Sequence, residues 1–416
     1  MKLTPLSHKY ARSLSRAIVR CGITDDSLTV SMRNTLYQVY AKVYFDLKES
    51  ESYLQKTILP NLTVFKKPIK SISDLPKPIG FDKAYFCAAL LRKSIYRYSL
   101  DLITCSVKLD FKDFTRDVNI NIVTQKNNPG LRNEVVIYKM LQWIIILGKQ
   151  AKARCGKQLT IYYYDTPNLK NFPNIKGDKF DVINVNSAFA DICPQDGNIV
   201  IFRREEWLKV FIHECFHLFG LDFASIDDSL IENKLRSIYG LNIDYNPTEA
   251  YAETWARLLN LMSIAYHGTS LSEKSESKRL QSYIDNLVYM TQVERVYSAV
   301  QAIRVLSNYG LDYDTLLSSD IEKAKVYKEG TSVFAYFVET AVFMINFEKF
   351  ISFCVGNNLE LFQFRFTAKV LRNYKTLINK LSKASKTRET FTCVSGMIPN
   401  IILKDNHLRM TIMELE

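Results

Sequence analysis

The stretch Arg203-Arg-Glu-Glu-Trp-Leu-Lys-Val-Phe-Ile-His-Glu-Cys-Phe-His-Leu-Phe-Gly220 contains His213-Glu214-Cys215-Phe216-His217, which has the spacing H-E-x-x-H. Apolar side chains at 207, 208, 210, 211, 212, 215, 216, 218 and 219 surround it on nearly every side, so the spacing predicts a buried helix. Positions four apart share one helical face, which aims His213 and His217 the same way. Two imidazoles one turn apart grip one Zn²⁺ at about 2.0–2.1 Å each, and Glu214 projects beside that point, where it takes a proton from an attacking water. The chain has five histidines. About five trials, at roughly 1/20 for the next Glu and roughly 1/100 for His at +4, leave about 0.003 chance matches. Without a metal, the same residues are a buried helix whose ionisable groups cost several kcal/mol unless something neutralises them.

Two histidines leave a metal site incomplete, and the third ligand sets its subclass. The metzincin continuation H-x-x-G-x-x-H fails, because Gly220 is present but Phe223 stands six after His217, with Asp222 one residue early. Downstream, Tyr245-Asn-Pro-Thr-Glu-Ala-Tyr-Ala-Glu-Thr-Trp-Ala-Arg257 offers Glu249 and Glu253 at i, i+4. This resembles the gluzincin zinc metallopeptidases, whose E-x-x-x-D/E places a zinc ligand first and a histidine-supporting acid second. The resemblance implies His213, His217 and Glu249 as ligands, with Glu253 orienting one of the histidines. The residues themselves leave alternatives. Asn246-Pro247-Thr248-Glu249 also reads as an N-cap, a proline at N1 and a capping-box glutamate, and then Glu253 or Asp222 is the third ligand.

Hydrolysis of a carbonyl compound further needs a donor for the oxyanion. Tyr239, Tyr245 and Tyr251 surround the start of the Glu249 segment and His267 follows it; Tyr245 is the first choice, weighed against ordinary packing of a residue that occurs 24 times. The runs Val185-Asn-Ser-Ala-Phe189, Ile199-Val-Ile-Phe202 and Gly220-Leu-Asp-Phe223 together look like metallopeptidase-like proteins encoded by large double-stranded DNA viruses. That resemblance implies a zinc-dependent metallopeptidase acting on a peptide or protein substrate, in the host cytoplasm or the virion.

With 47% hydrophobic and 24% charged residues, the 416-residue chain has the balance of a soluble globular protein of two or three domains. Eight cysteines (21, 87, 105, 155, 193, 215, 354, 393) without a C-x-x-C pair predict free thiols in a reducing, cytoplasmic setting, with Cys215 in the core. The N-terminus lacks the apolar run of a secretory leader. No membrane span is expected either, since Ser332 to Phe347 is short and carries Glu339. A net charge of +12 and a pI near 9.1 admit nucleic acid or another anionic partner, and Arg365 to Arg388 reads as a basic amphipathic helix. Two other functional classes therefore stand beside the enzyme: a structural or virion-associated protein that keeps a zincin fold without catalysis, and a basic nucleic-acid-associated protein.

In chain order, residues 1–105 read as a helical domain: Leu6 to Val19, Leu28 to Leu54 capped by Asp26 or Ser27, and Phe81 to Thr104, with a loop from Pro60 to Pro78. Residues 106–265 read as a zincin-like catalytic domain. Its expected strands are 106–111, 118–123, 159–164, 182–186 and 198–202, with a helix from Glu134 to Ala153. One edge of that sheet offers itself to an extended peptide. Residues 266–416 return to helix, through Glu273 to Leu306 and Glu322 to Val355. The expected class is α+β, with a small mixed sheet and an active-site helix flanked by helical regions.

Overall fold

A computed structural model describes residues 3–24, 28–78, 88–126, 133–269 and 275–414. The chain runs α1 (Pro5–Arg20), α2 (Val30–Tyr53), β1 (Val64–Pro68), α3 (Ala88–Tyr98), β2 (Ser99–Phe111), β3 (Phe114–Gln125), α4 (Asn133–Gly148) and β4 (Gln158–Tyr164). Then come α5 (Val182–Val185), β5 (Ala188–Ala190), β6 (Asp196–Ile201), α6 (Trp207–Leu218), α7 (Ser229–Tyr239), α8 (Pro247–Gly268) and α9 (Glu276–Ser307). The last part holds α10 (Tyr313–Leu317), α11 (Lys323–Val326), α12 (Thr340–Ile345), α13 (Phe347–Asn357), α14 (Ala368–Ser382), α15 (Ser385–Ser395) and α16 (Asn400–Leu403). The class is α+β, with one six-stranded mixed sheet of order β1-β2-β3-β4-β6-β5.

Two compact units divide the chain, and each gathers separated stretches where the sequence reads as consecutive blocks. The first, residues 45–170 and 186–225, holds the sheet. β1, β2 and β3 pair antiparallel, β3-β4-β6 parallel, and β5 lies antiparallel on β6 at the edge. Along β3, Phe114, Arg116, Val118, Ile120 and Ile122 are buried, while Thr115, Asp117 and Asn119 between them are exposed, as period two requires. Ile161 on β4 and Ile199 and Ile201 on β6 are fully buried. α4 is apolar from Val136 to Leu147 apart from Lys139 and Gln142, and it packs on α6, which in turn lies against β5 and β6.

Several local expectations change, among them the helix expected to reach Ala153, which ends at Gly148. The helix expected to reach Thr104 ends at Tyr98, because pairing of Leu102 with Val123 and Ile103 with Ile122 draws the β-branched run into β2. β1 forms inside the stretch expected as a loop, in register Val64 to Cys105. Val182 to Val185, expected as a strand, is one turn of helix: Asp181 Oδ1 accepts from the Val182 amide and Asn184 Oδ1 from the Asp181 amide, so side-chain turn chemistry overrides the alternating pattern. Asp26, Ser27, Phe81 to Cys87 and Glu273 lie outside the described residues.

The second unit, residues 1–44, 171–185 and 226–416, is helical. α8 is buried throughout from Ala250 to Ala265 and packs along α9. The expected helix from Glu322 to Val355 is broken into α11, a π-turn at Phe334–Glu339 that runs into α12, and α13. The basic stretch forms α14 and α15; Val370, Tyr374, Ile378 and Leu381 are buried, and Lys386 and Arg388 pair with Glu348 and Asp314 at 2.8 Å each. Among the described residues no helix is long and apolar enough to cross a membrane.

The cysteines correct the expectation of free thiols. Cys21–Cys393 and Cys155–Cys193 are disulfides, while Cys105, Cys215 and Cys354 are free and buried. Folding brings partners 372 and 38 residues apart to Cα separations of 5.7 and 4.5 Å, a proximity that sequence spacing does not encode.

Glu339 ends the π-turn fully buried, and neither carboxylate oxygen has a hydrogen-bond partner. Burial, then the nearby Asp228 charge, pushes its pKa up to about 8. A carboxyl whose folded pKa is raised binds its proton more tightly in the native state, so stability is full below about pH 4.5 and falls as pH rises towards 8. Urea unfolding at pH 5 and pH 8 should show this slope in the wild type and a flatter one in Glu339→Gln, which mimics the protonated carboxyl. Equal slopes would place the pH dependence elsewhere.

Candidate metal centre

The helix that carries the histidines is pinned before it begins. Glu206, at its N-terminal boundary, adopts φ 59°, and its buried carboxylate meets the buried Lys170 ammonium at 2.8 Å. Glu205 accepts the Lys170 backbone amide at 2.7 Å. A non-glycine residue in the left-handed region costs on the order of 1–3 kcal/mol, so the buried ion pair is what holds the chain in that turn. Trp207 then packs on Tyr163 of β4, and every residue from Trp207 to Leu218 is buried.

His213, Glu214 and His217 are 6%, 6% and 8% exposed. The Nε2 atoms of the two histidines lie 3.1 Å apart. Two nitrogens about 2.05 Å from one ion at the tetrahedral angle stand about 3.3 Å apart, so these imidazoles already face a common point. Cys215, on the same helix, is fully buried, and burial holds its thiol pKa well above the usual value, which suits packing and not ligation.

After Leu218 the chain reverses at Gly220, φ 60°, where the Gly220 amide donates to the His217 carbonyl and the Leu221 amide to that of Phe216. This turn brings Asp222, 1% exposed, back onto the helix, with Oδ2 2.5 Å from His217 Nδ1. The two atoms are close without forming an aligned hydrogen bond; a carboxylate at that place, once aligned as acceptor, selects the tautomer that leaves Nε2 free for a metal. Asp222, a candidate ligand from its place in the sequence, lies against Nδ1 of His217, where a carboxylate orients the ring. The detectable signal is a glycine turn followed by an acid one residue short of the metzincin position.

Glu249 stands in the first turn of α8, half-buried. The Asn246 side chain makes no capping hydrogen bond and lies 3.4 Å from Ser332 Oγ, so the reciprocal capping box is not formed. One ligand atom from each of His213, His217 and Glu249 lies within 4.8 Å of the others, a grouping of the kind that holds a metal ion. Imidazole and carboxylate donors suit several divalent metals, zinc among them. Glu253, expected to orient a histidine, is fully buried with Oε1 accepting from Arg257 Nε at 2.9 Å, and Arg257 also donates to Ser298 and to the Tyr336 carbonyl.

The tyrosines divide by their partners. Tyr239 donates to Ser382, and Tyr251 to the Phe362 carbonyl. Tyr245 is 2% exposed, packed edge-on to Phe334, and its hydroxyl oxygen accepts the Leu241 amide at 3.2 Å. Burial raises its pKa, so it stays a neutral hydroxyl. His267 lies near the end of α8 with its ring against Tyr266.

Replacing the carboxylate beside His217 Nδ1 by a neutral amide should weaken metal binding without abolishing it. Asp222→Asn is expected to lower zinc affinity about 10- to 100-fold in competition against a chromophoric chelator. An unchanged affinity would remove Asp222 from the site.

Compared with protein families, with curated proteins and with solved structures, the chain matches none.

Proposed function

We propose that the protein is a zinc-dependent peptidase of zincin type, with His213, His217 and Glu249 as ligands and Glu214 as general base. The observation that carries the reading is the grouping of those three side chains, with the two Nε2 atoms 3.1 Å apart and Asp222 behind His217. Zinc held by these three side chains would supply Lewis acidity, making a water easier to deprotonate and a carbonyl easier to attack. The chain's own groups do the rest. Glu214, on the same buried helix, accepts a proton from the attacking water and returns it to the leaving amine. Tyr245 is the proposed hydroxyl donor to the oxyanion: its oxygen already accepts from Leu241, which leaves its proton free to donate. β5, three residues long at the sheet edge and packed on α6, is the proposed strand on which an extended peptide adds.

Elemental analysis should find about one zinc per chain, lost in His217→Ala and in Glu249→Ala. Loss in Glu253→Ala with retention in Glu249→Ala would reassign the third ligand. Equally little zinc in wild type and His217→Ala would sink the metal reading.

Activity separates catalysis from a structural metal. Against a diverse peptide library, Glu214→Gln should keep its zinc and lose a factor on the order of 10² to 10⁴ in rate. Cleavage by both proteins at one rate would identify a contaminant. Silence from both, with zinc retained, would favour a non-catalytic, structural or virion-associated role.

A further inference from the structure

We propose that the Cys155–Cys193 disulfide is a redox-sensitive brace for His217, so that its reduction loosens the metal site; this rests on the zinc reading above. The bond lies against the end of α6. The Cys193 amide donates at 3.1 Å to the His217 carbonyl, which the Gly220 amide also meets at 3.0 Å, so segment and turn share one acceptor at the end of the helix. A Cβ built on Gly220 would stand 3.1 Å from Cys193 Cβ, 3.3 Å from Cys193 Sγ and 3.6 Å from Cys155 Sγ. The disulfide therefore fills the space under the turn that brings Asp222 to His217.

Two further contacts hold the segments around the bond, one to each other and one to the helix. The Gly156 amide, next to Cys155, donates to the Pro194 carbonyl at 2.7 Å, closing the two cysteine segments on each other. A Cβ on Gly156 would meet Leu218 and Phe219 at 3.1 Å each, so that segment also rests on the last turn of α6. Cys193 itself sits at φ 45°, a conformation that costs a side-chain-bearing residue energy and persists only while its surroundings impose it. The disulfide, which joins Cys193 to the fully buried Cys155, is a covalent part of those surroundings.

The bond is also placed to be reached. Cys155 is fully buried, but Cys193 is half-buried and its neighbours Asp191, Ile192 and Gln195 are exposed. A dithiol reductant attacks through one thiolate at Cys193 Sγ and expels Cys155 as a thiolate. Its second thiol then attacks the mixed disulfide and releases Cys193. The reductant leaves as its own disulfide, and its two electrons and two protons remain on Cys155 and Cys193 as thiols. Residues 191–195 can then relax from the left-handed turn, the His217 carbonyl loses its Cys193 donor, and the Gly220 turn loses the floor that holds Asp222 in place.

The test uses the full chain with the other disulfide removed, Cys21→Ser/Cys393→Ser, so that a trialkylphosphine acts on Cys155–Cys193 alone. A phosphine, unlike a dithiol, brings no thiolates to compete for zinc. Amide hydrogen exchange at 217–221 in the metal-free protein is expected to rise at least about tenfold on reduction, and zinc affinity to fall about 10- to 100-fold. If that background does not fold, Cys155→Ser/Cys193→Ser is compared with wild type without reductant. Unchanged exchange overturns the brace, and raised exchange with unchanged zinc affinity overturns its coupling to the metal. A protein that takes up no zinc in either state overturns the zinc reading instead, and exchange alone then decides for the brace.

Discussion

The structure turns on the cost of burying His213, Glu214 and His217 in a helix that is otherwise apolar apart from Lys209. Three ionisable side chains at under a tenth of their full exposure cannot be left to water, so each needs a local partner or a shared ion. The histidines face each other through Nε2, and Asp222 stands behind His217. The helix tolerates this because its two ends are fixed, by the Glu206–Lys170 pair at the start and by the Gly220 turn at the finish. Sheet, turn and disulfide all bear on the same twelve-residue element.

Buried charge recurs in the helical unit with a different solution. Glu253 and Arg257 lie one turn apart on α8, both fully buried, and Arg257 spreads its remaining donors over Ser298 and Tyr336. A guanidinium satisfied on three sides anchors the carboxylate oxygen it pairs with. Glu339 is the opposite case, a carboxyl with neither oxygen hydrogen-bonded, and it remains protonated up to about pH 8 because the charged form has no partner to offset its desolvation.

The basic balance of the chain takes on a narrower meaning in the same way. On α14 the buried Val370, Tyr374, Ile378 and Leu381 form the apolar stripe that amphipathic spacing requires, so that stripe is part of the unit's own core. Lys386 and Arg388 are engaged by Glu348 and Asp314. The cationic character left over belongs to the solvent side of a packed helix.

What the sequence determined by itself was whatever depends on spacing along one element. A period of four put His213 and His217 on one face, a period of two marked most of β2, β3, β4 and β6, and near-continuous apolarity marked α6 as buried. The α+β class followed from the order of those patterns. What only the tertiary structure decided were meetings between distant residues, because contact between separate elements leaves no periodic trace. Pairing of β1 with β2 made a strand of a proline-flanked stretch, and Asp222 reached His217 only through the turn at Gly220. Asn246 left its capping position unused, and Glu253 met Arg257. The disulfides are the clearest instance: Cys21 and Cys393 stand at opposite ends of the chain, and no local rule relates them until folding sets their Cα atoms 5.7 Å apart.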